Sequence, residues 1–132
     1  MKHVPTVAGT LLGLLFVAFG LMFLLDLIGD QPPPPEGSHQ EHFFAALAPT
    51  GYLTFVKVCE VLGGVLVAVP RTRCLGMLLL GPIVVNIVAY HVLVAGDGIA
   101  DPILLGVLAL SAIVILGDLR RWLALLRPPA AA

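Results

Sequence analysis

Charged residues are scarce in this sequence of 132 residues, at 11% of the chain, against about a quarter in an average soluble domain. The chain is 59% hydrophobic and has a mean hydropathy of +1.05. A soluble fold of this length could not hide so much apolar surface, so the composition excludes an ordinary water-soluble domain. A formal net charge of -1 provides no basic surface for a nucleic-acid partner.

Cysteine is scarce as well, since the sequence contains only Cys59 and Cys74. They form no C-x-x-C pair and would lie at different membrane depths, which disfavours both a disulfide between them and thiol–disulfide catalysis. His39 and His42 lie in a polar loop without a matching set of carboxylates, so we interpret them as ordinary loop residues. The sequence therefore predicts no metal site, and it carries no flavin, haem or iron–sulfur signature.

Four long apolar runs make up most of the chain. A helix needs about 20 predominantly apolar residues to cross a bilayer. The runs predict spans at about 7–28, 50–69, 74–95 and 102–123, with a proline-rich loop over 29–49. Short links join the second span to the third and the third to the fourth, so neighbouring spans are expected to be antiparallel. The sequence thus predicts one all-α domain over 1–132, a membrane-spanning four-helix antiparallel bundle.

Local signals refine this prediction at three positions. Asp101 followed by Pro102 is typical of an N-cap and the first residue of a helix. Residues 41–48 predict a short amphipathic helix on the membrane surface. Pro82 is expected to bend the third span, because proline cannot donate the backbone hydrogen bond of a helix.

Six of the seven Lys and Arg residues fall on one side of this predicted bundle, and the seventh, Lys57, lies within the second span. The side that carries the turn between spans two and three holds Lys2, Arg71, Arg73, Arg120, Arg121 and Arg127. The opposite side holds Asp26, Asp30, Glu36, Glu41, Asp97 and Asp101, with no Lys or Arg. The positive-inside rule therefore predicts a multi-pass protein of a bacterial-type inner membrane, with both termini cytoplasmic and the proline-rich loop outside.

Lys57 and Glu60 interrupt the second apolar run at positions i and i+3, which places them on one helical face. A charge at membrane depth costs roughly 2.5–3.5 kcal/mol on insertion scales, and pairing two opposite charges reduces that cost. We therefore expect the two side chains to pair and to face the protein interior.

Other polar side chains lie in the same outer half of the bilayer. Asn86, Tyr90 and His91 do so on the third span, and Asp26 ends the first. The candidate ligand-pocket residues are Lys57, Glu60, Asn86, Tyr90, His91 and Asp26. They predict a pocket for a small ligand, a headgroup or a quinone-like molecule, or a proton relay. The alternative interpretation is that the polar groups only lock the helices together.

Two segments resemble a known family. Residues 50–64, TGYLTFVKVCEVLGG, resemble the second helix of DoxX-like membrane proteins, with its K-x-x-E-x-x-G-G core. Residues 82–91, PIVVNIVAYH, resemble the third helix of that family, in which an Asn is followed five residues later by a His. The resemblance implies a four-helix membrane bundle, and some members are associated with thiosulfate:quinone oxidoreduction or with oxidative-stress complexes.

Two functional hypotheses follow from the residues and the resemblance together. The first is a membrane component of a redox system that binds a quinone-like molecule beside Lys57 and Glu60, where a paired lysine and carboxylate can polarise a carbonyl. Its electrons would pass through a membrane redox partner or between bound substrates. The second is a non-enzymatic scaffold or assembly factor. A small transporter is disfavoured because the sequence shows no inverted repeat, although a homo-oligomer would restore that option.

Overall fold

A computed structural model of the chain describes residues 3–127, so Lys2 of the predicted basic side lies outside the described residues. Within this range the chain forms helices and connecting segments, and no strand. The α-helices are α1 (Val4–Leu24), α2 (His39–Leu47), α3 (Tyr52–Ala68), α4 (Arg73–Ala89), α5 (Pro102–Gly117) and α6 (Leu119–Leu125). A 3-10 turn at Ala48–Thr50 connects α2 to α3, and α4 continues as a π-helix over Tyr90–Ala95.

The lengths of the helices set how many can cross a membrane. Val4–Leu24 and Arg73–Ala95 are each long and apolar enough to do so unaided. Two further candidates are bent pairs: His39–Thr50 with Tyr52–Ala68, at 82°, and Pro102–Gly117 with Leu119–Leu125, at 70°. The predicted all-α class is confirmed for residues 3–127. By length and composition, two helices could cross a membrane, or up to four if each bent pair is one span, so the predicted four-span bundle stays a prediction.

The helix expected over 102–123 ends at Gly117 instead of continuing. The backbone of Asp118 leaves the helical conformation, with φ -106° and ψ 20°, and α6 then leads away at 70°. The Asp118 carboxylate accepts a hydrogen bond from Arg73 Nη1 at 3.1 Å, and its other oxygen lies 3.6 Å from Arg121 Nη1. These two arginines hold Asp118 at the corner, which explains why the apolar residues after it do not extend α5.

The long helix α3 packs against both α1 and α4, and α1 also packs against α5. Their spatial order is therefore α4, α3, α1, α5. Neighbours in this order run antiparallel. The start of α1 lies beside the end of α5, where an added Cβ on Gly117 would meet Pro5. By contrast, α4 and α5 touch at few positions.

We call one end of the molecule the basic end, defined by Arg71, Arg73, Arg120, Arg121 and Arg127, and the opposite end the loop end, defined by segments 25–51 and 96–101.

Small residues bring α1 and α3 into close contact. A Cβ added to Gly64 would lie 2.8 Å from the carbonyl oxygen of Gly13, so neither position accepts a side chain without movement. Such glycine contacts are typical of helices that associate by van der Waals packing in lipid. Each long helix also contributes one fully buried side chain to the core: Leu12, Val67, Leu80 and Val114.

Three local predictions concern Asp101, residues 41–48 and Pro82. The Asp101 carboxylate accepts from the backbone N–H of Leu104 at 2.8 Å, so the predicted N-cap of α5 is confirmed. The helix expected at 41–48 is α2, which begins after Ser38, whose hydroxyl accepts from the N–H of Glu41 at 3.2 Å. Pro82 lies inside α4, which continues through it to Ala89.

Candidate functional site

A cavity of about 260 Å³ lies between α1, α3, α4 and α5, towards the loop end. Its walls are mainly apolar and include Phe16, Phe19 and Phe23 of α1 and Ile103, Leu104 and Val107 of α5. Its charged and titratable lining comes from Lys57, Glu60, His91 and Asp101. The cavity therefore combines an apolar interior with a few polar groups, as small-molecule sites usually do.

Lys57 and Glu60 form the expected ion pair at this cavity. Lys57 Nζ lies 2.8 Å from Glu60 Oε2 and 3.1 Å from Oε1. The Glu60 side chain is only 4% exposed, whereas that of Lys57 is 27% exposed. Both residues belong to α3, and within residues 3–127 neither side chain makes a hydrogen bond to another helix. The nearest aromatic group is Phe23 of α1, whose ring centre is 5.8 Å from Nζ.

His91 reaches the cavity from the π-helical turn that follows α4. Its Nδ1 lies 3.0 Å from Asp97 Oδ1, and its carbonyl accepts from the N–H of Gly98 at 3.3 Å. These two contacts attach the imidazole and its backbone to the link before α5. A π turn widens a helix by one residue and is found frequently at functional sites.

Asp101 lines the same cavity and was not among the predicted site residues. The sequence identified it only as a helix cap, and a cap accounts for an aspartate at that position without any further role. One feature of the sequence could have identified it. Asp101 directly precedes the fourth predicted span, so its expected membrane depth is close to that of the outer polar residues on the neighbouring spans.

Tyr90 is next to His91 in sequence but contacts α2 instead of the cavity. Its ring centre lies 5.2 Å from that of Phe43 and 5.8 Å from that of Phe44. Aromatic pairs at such separations are favourable. Tyr90 therefore attaches α2 to the loop end of α4, and it is not part of the cavity lining.

Asn86 lies on a different face of α4. It is exposed and lines an outer groove of about 450 Å³ between α3 and α4, together with Cys59 and Pro82. The two positions Asn86 and His91 are five residues apart, about 140° around a helix, so they face different sides. The structure thus separates Asn86 from the pair Lys57 and Glu60.

Asp26 ends α1 and lies outside the cavity. Its backbone has a φ of 55°, and the N–H of Leu27 donates to the carbonyl of Met22 at 2.8 Å. The N–H of Asp26 donates to the carbonyl of Phe23 at 3.2 Å, which completes the pattern of a Schellman C-cap. Asp26 is exposed, and its position is that of a helix-terminating residue.

A second ion pair, at the basic end, was missed by the sequence analysis. Arg73 of α4 is 97% buried and bonds Asp118 at the corner between α5 and α6. Its Nε and Nη2 atoms have no hydrogen-bond partner within residues 3–127. Unlike the pair Lys57 and Glu60, this one connects two helices that otherwise touch little.

Comparisons with protein-family models, curated proteins and solved structures find no match for this chain. The resemblance to DoxX-like proteins therefore depends on the two helical segments alone. Among residues 3–127, no three His, Cys, Asp or Glu side chains come together as metal ligands.

Proposed function

We propose that this chain is a four-span, DoxX-like protein of a bacterial-type inner membrane whose cavity binds a small quinone-like molecule as part of a membrane redox system. One observation carries the proposal: the ion pair of Lys57 and Glu60 faces a cavity and, among residues 3–127, bonds to no second helix. In this arrangement each bent helix pair contributes one span, the basic end is cytoplasmic, and the loop end is outside.

A contribution to the stability of the fold does not explain the ion pair of Lys57 and Glu60. Charged groups are costly in a spanning helix, and replacing a buried pair by apolar residues of similar volume is often neutral or stabilising. A pair that served to hold the bundle together would link two helices, as Arg73 and Asp118 do. Lys57 and Glu60 are one turn apart on α3, so their hydrogen bonds hold no other helix in position.

The cavity fits a ring with polar substituents. A cavity of about 150 Å³ is enough for benzene, so the 260 Å³ present here accommodates a substituted six-membered ring. The partly exposed ammonium of Lys57 can donate to a carbonyl oxygen, and His91 provides a second polar contact from α4. A longer apolar tail would leave between α4 and α5, where the helices touch at few positions.

Binding of decylubiquinone, measured by native mass spectrometry of the protein in a mild detergent, tests the proposal. Ile103 lines the cavity at the start of α5 and is already 54% exposed, so Ile103→Trp should narrow the cavity without unfolding the protein. Ile113 lies on the same helix away from the cavity, is 39% exposed, and provides the matched control Ile113→Trp. We expect Ile103→Trp to weaken binding at least tenfold and Ile113→Trp to leave it unchanged.

Replacing Lys57 by Met and Glu60 by Leu together should also weaken binding, while the protein stays folded. If decylubiquinone does not bind saturably to the unmodified protein, or binds both tryptophan variants equally, the quinone proposal is wrong. Either of these results, obtained with a folded protein, would favour the scaffold or assembly-factor hypothesis.

A further inference from the structure

Asn86 is a polar side chain on an otherwise apolar outer surface. It is exposed on α4, in the helix Arg73–Ala95, one of the two that are long and apolar enough to cross a membrane unaided. At 1.5 Å per residue it lies about 20 Å from one end of this helix and about 14 Å from the other. Because the hydrocarbon core is about 30 Å thick, that depth is out of reach of lipid headgroups.

A second unmet hydrogen-bonding group lies on the same stripe of α4. Leu78, Pro82 and Asn86 follow one another at intervals of four residues and all line the outer groove. Pro82 has no N–H, so the carbonyl of Leu78 lacks the donor that a helix normally supplies from four residues on. The Asn86 amide and the Leu78 carbonyl therefore lie on one stripe of α4, about 12 Å apart along the helix axis.

The groove lies on the outer surface between α3 and α4. It has a volume of about 450 Å³, and α3 forms its other wall with Tyr52, Phe55 and Cys59. Phe55 is 64% exposed, so the aromatic wall has no cover from within the described chain. Acyl chains could fill the groove but offer no hydrogen bond to an amide.

We propose that two copies of this chain associate across the groove, α4 against α4, with the Asn86 amide as the central polar contact. A carboxamide both donates and accepts, so it is self-complementary about a two-fold axis, where it can bond the same residue of the second copy. Asparagine side chains in lipid-facing helices stabilise such contacts. The inference rests on the membrane location proposed above and is independent of the quinone.

Sedimentation equilibrium in density-matched detergent micelles measures the proposed dimer. Asn86→Leu keeps the side-chain volume and removes the amide, and we expect it to raise the dimer dissociation constant about tenfold, as two modest interhelical hydrogen bonds would. Asn86→Gln keeps the amide and should stay within about threefold of the unmodified protein.

A steric pair of variants tests the surface without using the amide. Leu78 lines the groove and is 54% exposed, whereas Leu14 on α1 is 58% exposed and lies outside the groove. Leu78→Trp should abolish the dimer, and Leu14→Trp should not affect it. A monomeric unmodified protein, or equal dimerisation of the unmodified protein and Asn86→Leu, would overturn the proposal.

The dimer and the quinone site can fail separately. Asn86 lies outside the cavity, so Asn86→Leu should bind decylubiquinone normally, and Ile103→Trp should dimerise normally. A dimer that does not bind decylubiquinone would contradict only the proposed function, and a monomer that binds it would contradict only the dimer.

Discussion

Lys57 Nζ lies 2.8 Å from Glu60 Oε2, one turn along the same helix, so the ion pair at the cavity belongs to α3 alone. The partners are unequally buried, because Glu60 is almost wholly enclosed while Lys57 reaches the cavity. Glu60 therefore depends on Lys57 for its hydrogen bonds, whereas the lysine can also contact a bound molecule. This asymmetry makes the two residues respond differently to substitution.

Removing only the lysine should destabilise the protein. Lys57→Met leaves the buried Glu60 carboxylate without its hydrogen-bond donor, and we expect a loss of roughly 3 kcal/mol in the free energy of unfolding. The double variant with Met at 57 and Leu at 60 should recover most of this loss, because no charge remains buried. Unfolding in detergent with increasing denaturant measures both variants. Equal stability of the single and double variants would show that the pairing contributes nothing.

The pair at the basic end should behave as an interhelical connection. Asp118→Asn removes the charge that faces the 97% buried Arg73, and we expect roughly 3–5 kcal/mol of destabilisation. Arg121 also approaches Asp118 but is 56% exposed, so Arg121→Gln should cost less than about 1 kcal/mol. Denaturant unfolding of the two variants in detergent provides the comparison. A similar loss in both would mean that burial of Arg73 does not set the strength of the pair.

Asp26 offers a test of whether its role is local. Its positive φ is a conformation that glycine adopts at no steric cost, so Asp26→Gly should stabilise the protein by roughly 0.5 kcal/mol and leave decylubiquinone binding unchanged. Asp30→Gly removes the same charge at a residue whose own φ is not left-handed, and should give no such gain. Weaker binding in Asp26→Gly alone would restore Asp26 as a pocket residue.

The sequence predicts contacts well where they are local. The spacing of Lys57 and Glu60 on one helix is enough to predict their pairing, and Asp101 with Pro102 is enough to predict the start of α5. Both depend on residues three or four apart, whose geometry is fixed once a helix forms. The all-α class is predictable because the apolar runs have about the length that a helix needs to cross a bilayer.

Contacts between distant residues were harder to predict. Arg73 and Asp118 meet because the chain turns at Asp118, and 45 residues separate them, so no local spacing predicts their contact. The sequence predicts similar membrane depths for Asn86, Tyr90 and His91. Depth does not determine the direction in which each side chain points around the helix axis. The structure separates them onto the outer groove, α2 and the cavity respectively.

The π-helical turn over Tyr90–Ala95 makes the number of residues in this stretch important. Within it, His91 faces the cavity and adjacent Tyr90 contacts α2, so two neighbouring side chains have different partners. A π-helical turn holds about one residue more than an α-helical turn, so deleting a single residue there would let α-helical winding continue and would change which side chain faces the cavity. The number of residues in this short stretch, as much as their identity, thus decides which side chain the interior receives.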